Sequence, residues 1–275
     1  MPGMNRDHTD HTARRFNHAL RYLHAHYNSD SLDLHRLAEE AALSPWHWHR
    51  LYRSLMGETP YETIKWMRLH RAAWLLRNSD AAVATIARHC GYRGNVQSFN
   101  RTFRAAYGLN PQDYRARIHR EYPLTIDTQP PIAIAYLPHA DDYLFLSNTF
   151  NRLKIHLHLR GQYCRTLRAF SIHLPEALRG ECGVAFALPP ENICAPLLTG
   201  TIAGGRYAVL HYHGPYADLD AVCEHLLHRR LPSLGEQAAD APVILEYLDD
   251  SHAAPQQQYR VNISVPLQPT PQEPV

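Results

Sequence analysis

The chain has 275 residues, 45% hydrophobic and 20% charged, enough to bury the cores of one large or two ordinary domains. Its formal net charge of +2 hides an asymmetry: residues 1–120 carry 18 Lys+Arg against 10 Asp+Glu, and residues 121–275 carry 10 against 16, so a basic half suited to a polyanion is followed by an acidic half with another task. No apolar run approaches the ~18–20 residues of a membrane span, and the N-terminal stretch lacks the apolar core of a signal peptide, which argues against a membrane class and for a cytoplasmic protein.

Residues 1–11 are polar and read as a loose, irregular lead-in. Phe16, Ala19, Leu20, Leu23 and Tyr27 then recur at helical spacing over 12–27. Leu34, Leu37, Ala38 and Ala41 predict a short helix, Leu43-Ser44-Pro45 a turn with Ser44 as N-cap and Pro45 at the first helical position, and residues 46–56 a second helix stopped by Gly57. On that helix Leu51 and Leu55 share one side, while Trp46, His49, Arg50 and Arg53 share the other. Residues 61–78 predict a long connecting helix, about 27 Å at 1.5 Å per residue. The pattern then repeats: Ile86 and Ala87 on a helix, a break at Cys90-Gly91-Tyr92, and a helix with Phe99 and Phe103 on one side and Gln97, Asn100, Arg101 and Arg104 largely on the other, closed by Gly108 and Pro111. Amides and guanidiniums form bidentate bonds with the major-groove edges of adenine and guanine. Two helix-turn-helix patterns joined by a stiff connector can enter successive major grooves, about 34 Å apart, from one chain.

Beyond Tyr122-Pro123 and Pro130-Pro131 the periodicity changes. Residues 132–136 predict a strand, 144–159 a helix, and 167–174 and 184–188 strands; 205–213 predict a strand, 217–231 a helix, and 243–248 and 259–265 strands. This is a strand-helix-strand-strand unit written twice, with residues 135–139 and 209–213 at the same place in each copy. Such a duplication predicts one antiparallel-rich sheet with both helices on one face and the other face, or the groove between copies, open to a ligand. The five cysteines, at 90, 164, 182, 194 and 223, are scattered and never paired as C-x-x-C, which argues for reduced thiols and against a zinc site. Trp46-His47-Trp48-His49 and His156-Leu157-His158 lack Cys or carboxylate partners at ligating spacing and read as structural, so no metal or cofactor is expected.

The region from about Thr12 to Arg117 resembles the DNA-binding domain of the AraC/XylS regulators. The resemblance is carried by Ser44-Pro45-Trp46-His47, Arg50-Leu51-Tyr52, Gly57-Glu58-Thr59-Pro60, Arg68-Leu69-His70-Arg71-Ala72-Ala73, Gly91-Tyr92, Ser98-Phe99, Arg101-Thr102-Phe103-Arg104, Gly108, Pro111 and Tyr114-Arg115. There are two departures: Ala42 stands where the family usually has Gly, and the second turn, Arg93-Gly94-Asn95-Val96, is one residue longer than usual, which leaves open the register at the start of the second recognition helix. The resemblance implies double-stranded DNA as partner, contacts from Trp46, His49, Arg50, Arg53, Gln97, Asn100, Arg101 and Arg104, and contact with RNA polymerase during activation.

Residues 124–267 resemble the GyrI-like effector-binding domain through Gly205-Arg206-Tyr207-Ala208-Val209, His213-Gly214-Pro215-Tyr216, Leu231-Pro232, Glu246-Tyr247-Leu248 and Ile263-Ser264-Val265-Pro266-Leu267. The resemblance implies that Glu246 points into a cavity that takes a cationic or lipophilic small molecule, since a carboxylate among aromatic rings attracts a cation by charge and by ring quadrupole. Tyr136, Phe170, Phe186, Tyr207 and Tyr247 are the candidate walls, and the absence of Trp after residue 120 makes any cage Tyr/Phe. The expected architecture is therefore an all-α double helix-turn-helix domain, 12–118, followed by an α+β GyrI-like domain, 124–268, in a ligand-responsive transcription regulator. The alternative is hydrolase activity with Glu246 as general base; no Ser/His/Asp constellation supports it, and the DNA-binding half argues for regulation.

Overall fold

A computed structural model describes residues 6–29, 32–116, 121–139, 146–163, 166–173, 182–189, 193, 195–249 and 259–269. The chain divides into two compact units: Met1–Arg117 with Leu144–Cys164, and Ile118–Tyr143 with Arg165–Val275.

The first unit is helical. Its elements are α1 (Arg6–His26), α2 (Leu34–Glu40), α3 (Pro45–Met56), α4 (Pro60–Asn78), α5 (Val83–His89), α6 (Val96–Tyr107) and α7 (Pro111–Ala116). The first helix starts at Arg6, so residues 6–11, expected to be an irregular lead-in, form its opening turns. Caps set the remaining boundaries. Asp33 accepts from Arg36 N at 2.8 Å at the start of α2, and Ser44 from His47 N at 3.3 Å at the start of α3. Thr59 and Glu62 form a reciprocal capping box at the start of α4. Gly57 and Gly108 close α3 and α6 in the left-handed region, at φ 79° and 74°.

Two cores result. Phe16, Leu20 and Leu23 of α1 pack with Leu37 and Ala38 of α2, with Trp48, Tyr52 and Met56 of α3, and with Ile155 of α8 (Leu146–Leu159). Leu51 and Leu55, expected to be the apolar face of α3, lie half-buried beside the buried Trp48, Tyr52 and Met56. Around the second turn Phe99, Phe103, Tyr107 and Tyr114 form an aromatic cluster, with Phe103–Tyr107 and Phe103–Tyr114 centroids 4.5 and 5.3 Å apart and the second pair edge-to-face. Arg115 donates Nε to Leu76 O at 3.3 Å and Arg77 donates to Arg115 O at 3.3 Å, so these cations tie α7 to α4.

The second unit is an eight-stranded antiparallel sheet: β1 (Leu124–Gln129), β2 (Ile132–His139), β3 (Ala169–His173), β4 (Cys182–Ala187), β5 (Leu198–Ile202), β6 (Gly205–His213), β7 (Val243–Tyr247) and β8 (Arg260–Pro266). Its order, β1-β6-β8-β7-β3-β4-β2-β5, reads the same from either end, with the two copies meeting at the β3–β7 pair. β1 precedes the first copy but pairs with β6 of the second, and β5 precedes the second but pairs with β2 of the first, so each copy holds an edge strand belonging to the other. These two strands were not anticipated from the sequence.

The pairings also correct the alignment of the copies. Ala135 shares a sheet face with Phe186 and Ala169, whereas Val209 shares the opposite face with Ser264 and Ile244, so residues 135–139 and 209–213 are out of step by one residue. α9 (Leu219–His225) runs on through a π turn at Leu226–Arg230 to Leu231–Ser233. It covers one sheet face, burying Leu219, Val222, Cys223 and Leu226 against Leu210, Tyr212, Leu245, Val261 and Ile263. α8, expected beside it on that face, groups with the first unit.

Candidate nucleic-acid interface and ligand site

The caps give α3 and α6 a common register. Ser44 accepts from the backbone N–H three residues on, His47, and Asn95 does the same from Ser98 at 2.8 Å. Counted from these caps, Trp46 matches Gln97, His49 matches Asn100, Arg50 matches Arg101 and Arg53 matches Arg104, while the buried Trp48, Tyr52 and Met56 match the buried Phe99, Phe103 and Tyr107. The longer second turn is thus absorbed before the cap by Gly91 and Gly94, at φ 81° and 72°, and the helix register is kept. Of the eight polar-face residues all but the half-buried His49 are exposed. The Arg50 guanidinium lies 4.5 Å from the Trp46 ring centroid, a cation–π contact between two exposed residues of this face.

Arg68 in α4 positions the second turn. Its Nε donates to Tyr27 O at 2.7 Å, and its guanidinium sits where a Cβ on residue 91 would come within 2.7 Å of Cζ and Nε. Glycine leaves room for that approach and suits the positive φ of 81° at this position. Cys90 and Cys223 are free and buried, and burial pushes the Cys90 thiol up to about 12, so these thiols are inert at neutral pH.

In the second unit, register decides which candidate wall residues meet. Phe170 pairs with Glu246 and with Ala185, Ala185 pairs with Tyr136, and Glu246 pairs with Asn262, so Tyr136, Phe170 and Glu246 share one face. Tyr207, through Pro266 on β8, lies on that face as well. It donates its hydroxyl to Ala203 O at 2.7 Å. Phe186 and Tyr247 project from the other face, where both pair with Ala169. There the Tyr247 hydroxyl is 2.9 Å from Ser171 Oγ, which is 2.7 Å from His173 Nε2.

Both oxygens of Glu246 are engaged. Oε1 accepts from Arg168 Nε at 2.6 Å, and Oε2 accepts from Asn262 Nδ2 at 3.3 Å. The Arg168 guanidinium also lies 5.1 Å from the Phe170 ring centroid. Neither Arg168 nor Asn262 was singled out from the sequence; they stand 78 and 16 residues from Glu246, and no local pattern announces either contact.

The chain thus carries a capped pair of matched helices in one unit and, in the other, a duplicated antiparallel sheet with Glu246 on the same face as Tyr136, Phe170 and Tyr207. Residues 37–117 match the family described as helix-turn-helix domain, and residues 123–268 match the GyrI-like small molecule binding domain. The chain belongs to the GyrI-like family and carries a helix-turn-helix domain ahead of the GyrI-like region. It is similar to the transcriptional activator RhaS of Escherichia coli O157:H7, 33% identical over 106 residues, covering 38% of this chain and 37% of the relative. It is also similar to the regulatory protein PocR of Salmonella typhimurium, 36% identical over 101 residues, covering 37% and 33%. Among solved structures it is similar to the DNA-binding domain of AdpA, described as a global transcriptional factor in complex with a target DNA, at 32% identity and TM-score 0.32, covering 38% of this chain and 89% of that one. The chain spans about a third of the length of the curated relatives it matches. Among the described residues no helix is long and apolar enough to cross a membrane.

Proposed function

We propose that the chain is a sequence-specific DNA-binding transcription regulator, an activator, whose action is set by a small cationic or lipophilic molecule bound by the GyrI-like half. The working domains are 12–118 and 124–268. The observation that supports this best is the matched pair of polar helix faces, in which Trp46, His49, Arg50 and Arg53 repeat as Gln97, Asn100, Arg101 and Arg104 from equivalent caps. Arg50 and Arg101 read bases. Arg53 and Arg104, a turn further from the caps, meet phosphates. The 19-residue α4, about 28 Å long at 1.5 Å per residue, spaces the two helices for successive major grooves and an asymmetric site of roughly 20 base pairs.

Glu246 with Tyr136, Phe170 and Tyr207 forms the ligand face, and RNA polymerase is the protein partner through which activation acts. This reading needs no enzymatic step. Both Glu246 oxygens already accept hydrogen bonds, which disfavours a free general base. Selection of bound duplexes from random DNA, followed by footprinting, tests the reading: an enriched asymmetric sequence about two turns long is expected. No preference over bulk DNA at physiological salt, or protection of a palindrome by an obligate dimer alone, would overturn it.

A further inference from the structure

We infer that Arg168 is a tethered cation that competes with the ligand for Glu246, and so determines which cations the site admits; the inference rests on the ligand face proposed above. Two contacts recommend this face for a lipophilic cation: a carboxylate and an aromatic ring. Arg168 makes both. Its Nε is 2.6 Å from Glu246 Oε1 and its guanidinium carbon is 5.1 Å from the Phe170 centroid.

The geometry is that of a built-in occupant. Arg168 O accepts from Ala187 N at 2.9 Å, which anchors the backbone at the mouth of β3. The side chain beyond that anchor is 49% exposed, against 15% for Glu246, so the arginine can swing to solvent while the carboxylate stays in place. Asn262 Nδ2 on Oε2, itself fixed by Asn262 Oδ1 accepting from His211 Nδ1 at 2.9 Å, holds the carboxylate plane when Arg168 leaves. A cation that binds Glu246 must therefore displace a half-exposed ion pair and a cation–π contact. A small, strongly hydrated cation gains too little for that. A bulky, weakly hydrated one takes the place over the Phe170 ring that Arg168 leaves and lays its own apolar surface against the half-buried Tyr136, and that burial offsets the displacement. The two copies of the fold are not equivalent here, because the central β3–β7 pair carries one carboxylate, Glu246, facing Phe170.

The test uses the full chain, tetraphenylphosphonium as the lipophilic cation and triphenylphosphine oxide as its neutral counterpart, with binding followed by calorimetry. In Arg168→Gln the phosphonium should bind about 3- to 30-fold tighter, the range expected for releasing one exposed ion pair and one cation–π contact, while the neutral oxide changes by less than about twofold. Glu246→Gln should weaken the phosphonium and leave the oxide unchanged. In the double variant the gain from removing Arg168 should shrink to what the cation–π contact contributes, because the ion-pair part of its competitor role requires Glu246. If Glu246→Gln weakens the phosphonium but Arg168→Gln does not tighten it, the competitor role is wrong and the ligand face stands. If Arg168→Gln weakens binding, Arg168 is a direct ligand contact and the inference is overturned. If phosphonium binding is indifferent to Glu246, the ligand face itself is misplaced. Far-ultraviolet dichroism and the melting midpoint of each variant separate loss of binding from loss of fold.

Discussion

Ala42 and Gly91 occupy the same place in the two turns, and their substitution should move stability in opposite directions. Ala42 is the non-glycine residue with positive φ among the described residues, at 49°. An L-residue in the left-handed region costs roughly 1–2 kcal/mol, and glycine gives back roughly 0.5–1 kcal/mol in chain entropy. Ala42 is exposed, so removing its methyl costs no packing, and its backbone N–H still donates to Glu39 O at 2.8 Å. Ala42→Gly should therefore stabilise the first unit by about 0.5–1 kcal/mol, a rise of about 2–6 °C in its melting midpoint. Gly91→Ala meets the same φ penalty at 81°, and its Cβ would come within 2.7 Å of the Arg68 guanidinium. Arg68 cannot yield without loosening its 2.7 Å bond to Tyr27 O, so a loss of about 2–4 kcal/mol is expected. Urea unfolding of both variants, read by tryptophan fluorescence, measures the pair; all four Trp lie before residue 120 and report on that half. A neutral or destabilising Ala42→Gly would refute the claim that this turn carries left-handed strain. Neither effect should change the DNA sequence preferred by Ala42→Gly, because the contact residues of α3 start beyond its cap.

On DNA, Arg50→Ala and Arg101→Ala should each cost about 1–3 kcal/mol and relax specificity at one position, while Arg53→Ala and Arg104→Ala weaken all duplexes alike and lower the salt slope by about one; parallel titrations on specific and scrambled duplexes at several salt concentrations distinguish them. Glu246→Gln should leave the melting midpoint within about 2 °C and abolish the effect of a bound lipophilic cation on transcription from a target promoter; an undiminished response would remove Glu246 from the site. Acid should weaken both units. Burial lowers His24 to about 3, and burial with neighbouring His139 lowers His173 to about 4. The folded chain keeps these rings neutral while the unfolded chain binds protons below about 6.5, so stability is full above that pH and falls as pH drops towards 4, by up to about 1.4 kcal/mol per pH unit per histidine. Urea midpoints that do not fall between pH 7 and pH 5 would contradict this, and His173→Gln should flatten the slope for the second unit.

Much of the first unit could be read from the sequence because its signals are local. Ser44 caps within three residues, Gly57 and Gly108 stop within one, and a 3.6-residue period sorts Phe99 and Phe103 from Arg101 and Arg104 without reference to anything distant, whereas the Asn95 cap that fixes the start of α6 came from the structure. The duplicated strand-helix-strand-strand order and Glu246 on β7 were legible for the same reason, as was the parity of Arg50 with Arg101. What only the tertiary structure decided depends on pairing across long separations. The half-polar β1 and β5 carry no strong strand pattern and exist because each lies against the other copy's first strand. The pleat alternates every residue, so one residue of slip places Ala135 and Val209 on opposite faces and parts Phe186 and Tyr247 from Tyr136, Phe170 and Glu246. The guanidinium on Glu246 arrives from 78 residues away, brought there because two antiparallel copies meet at β3 and β7.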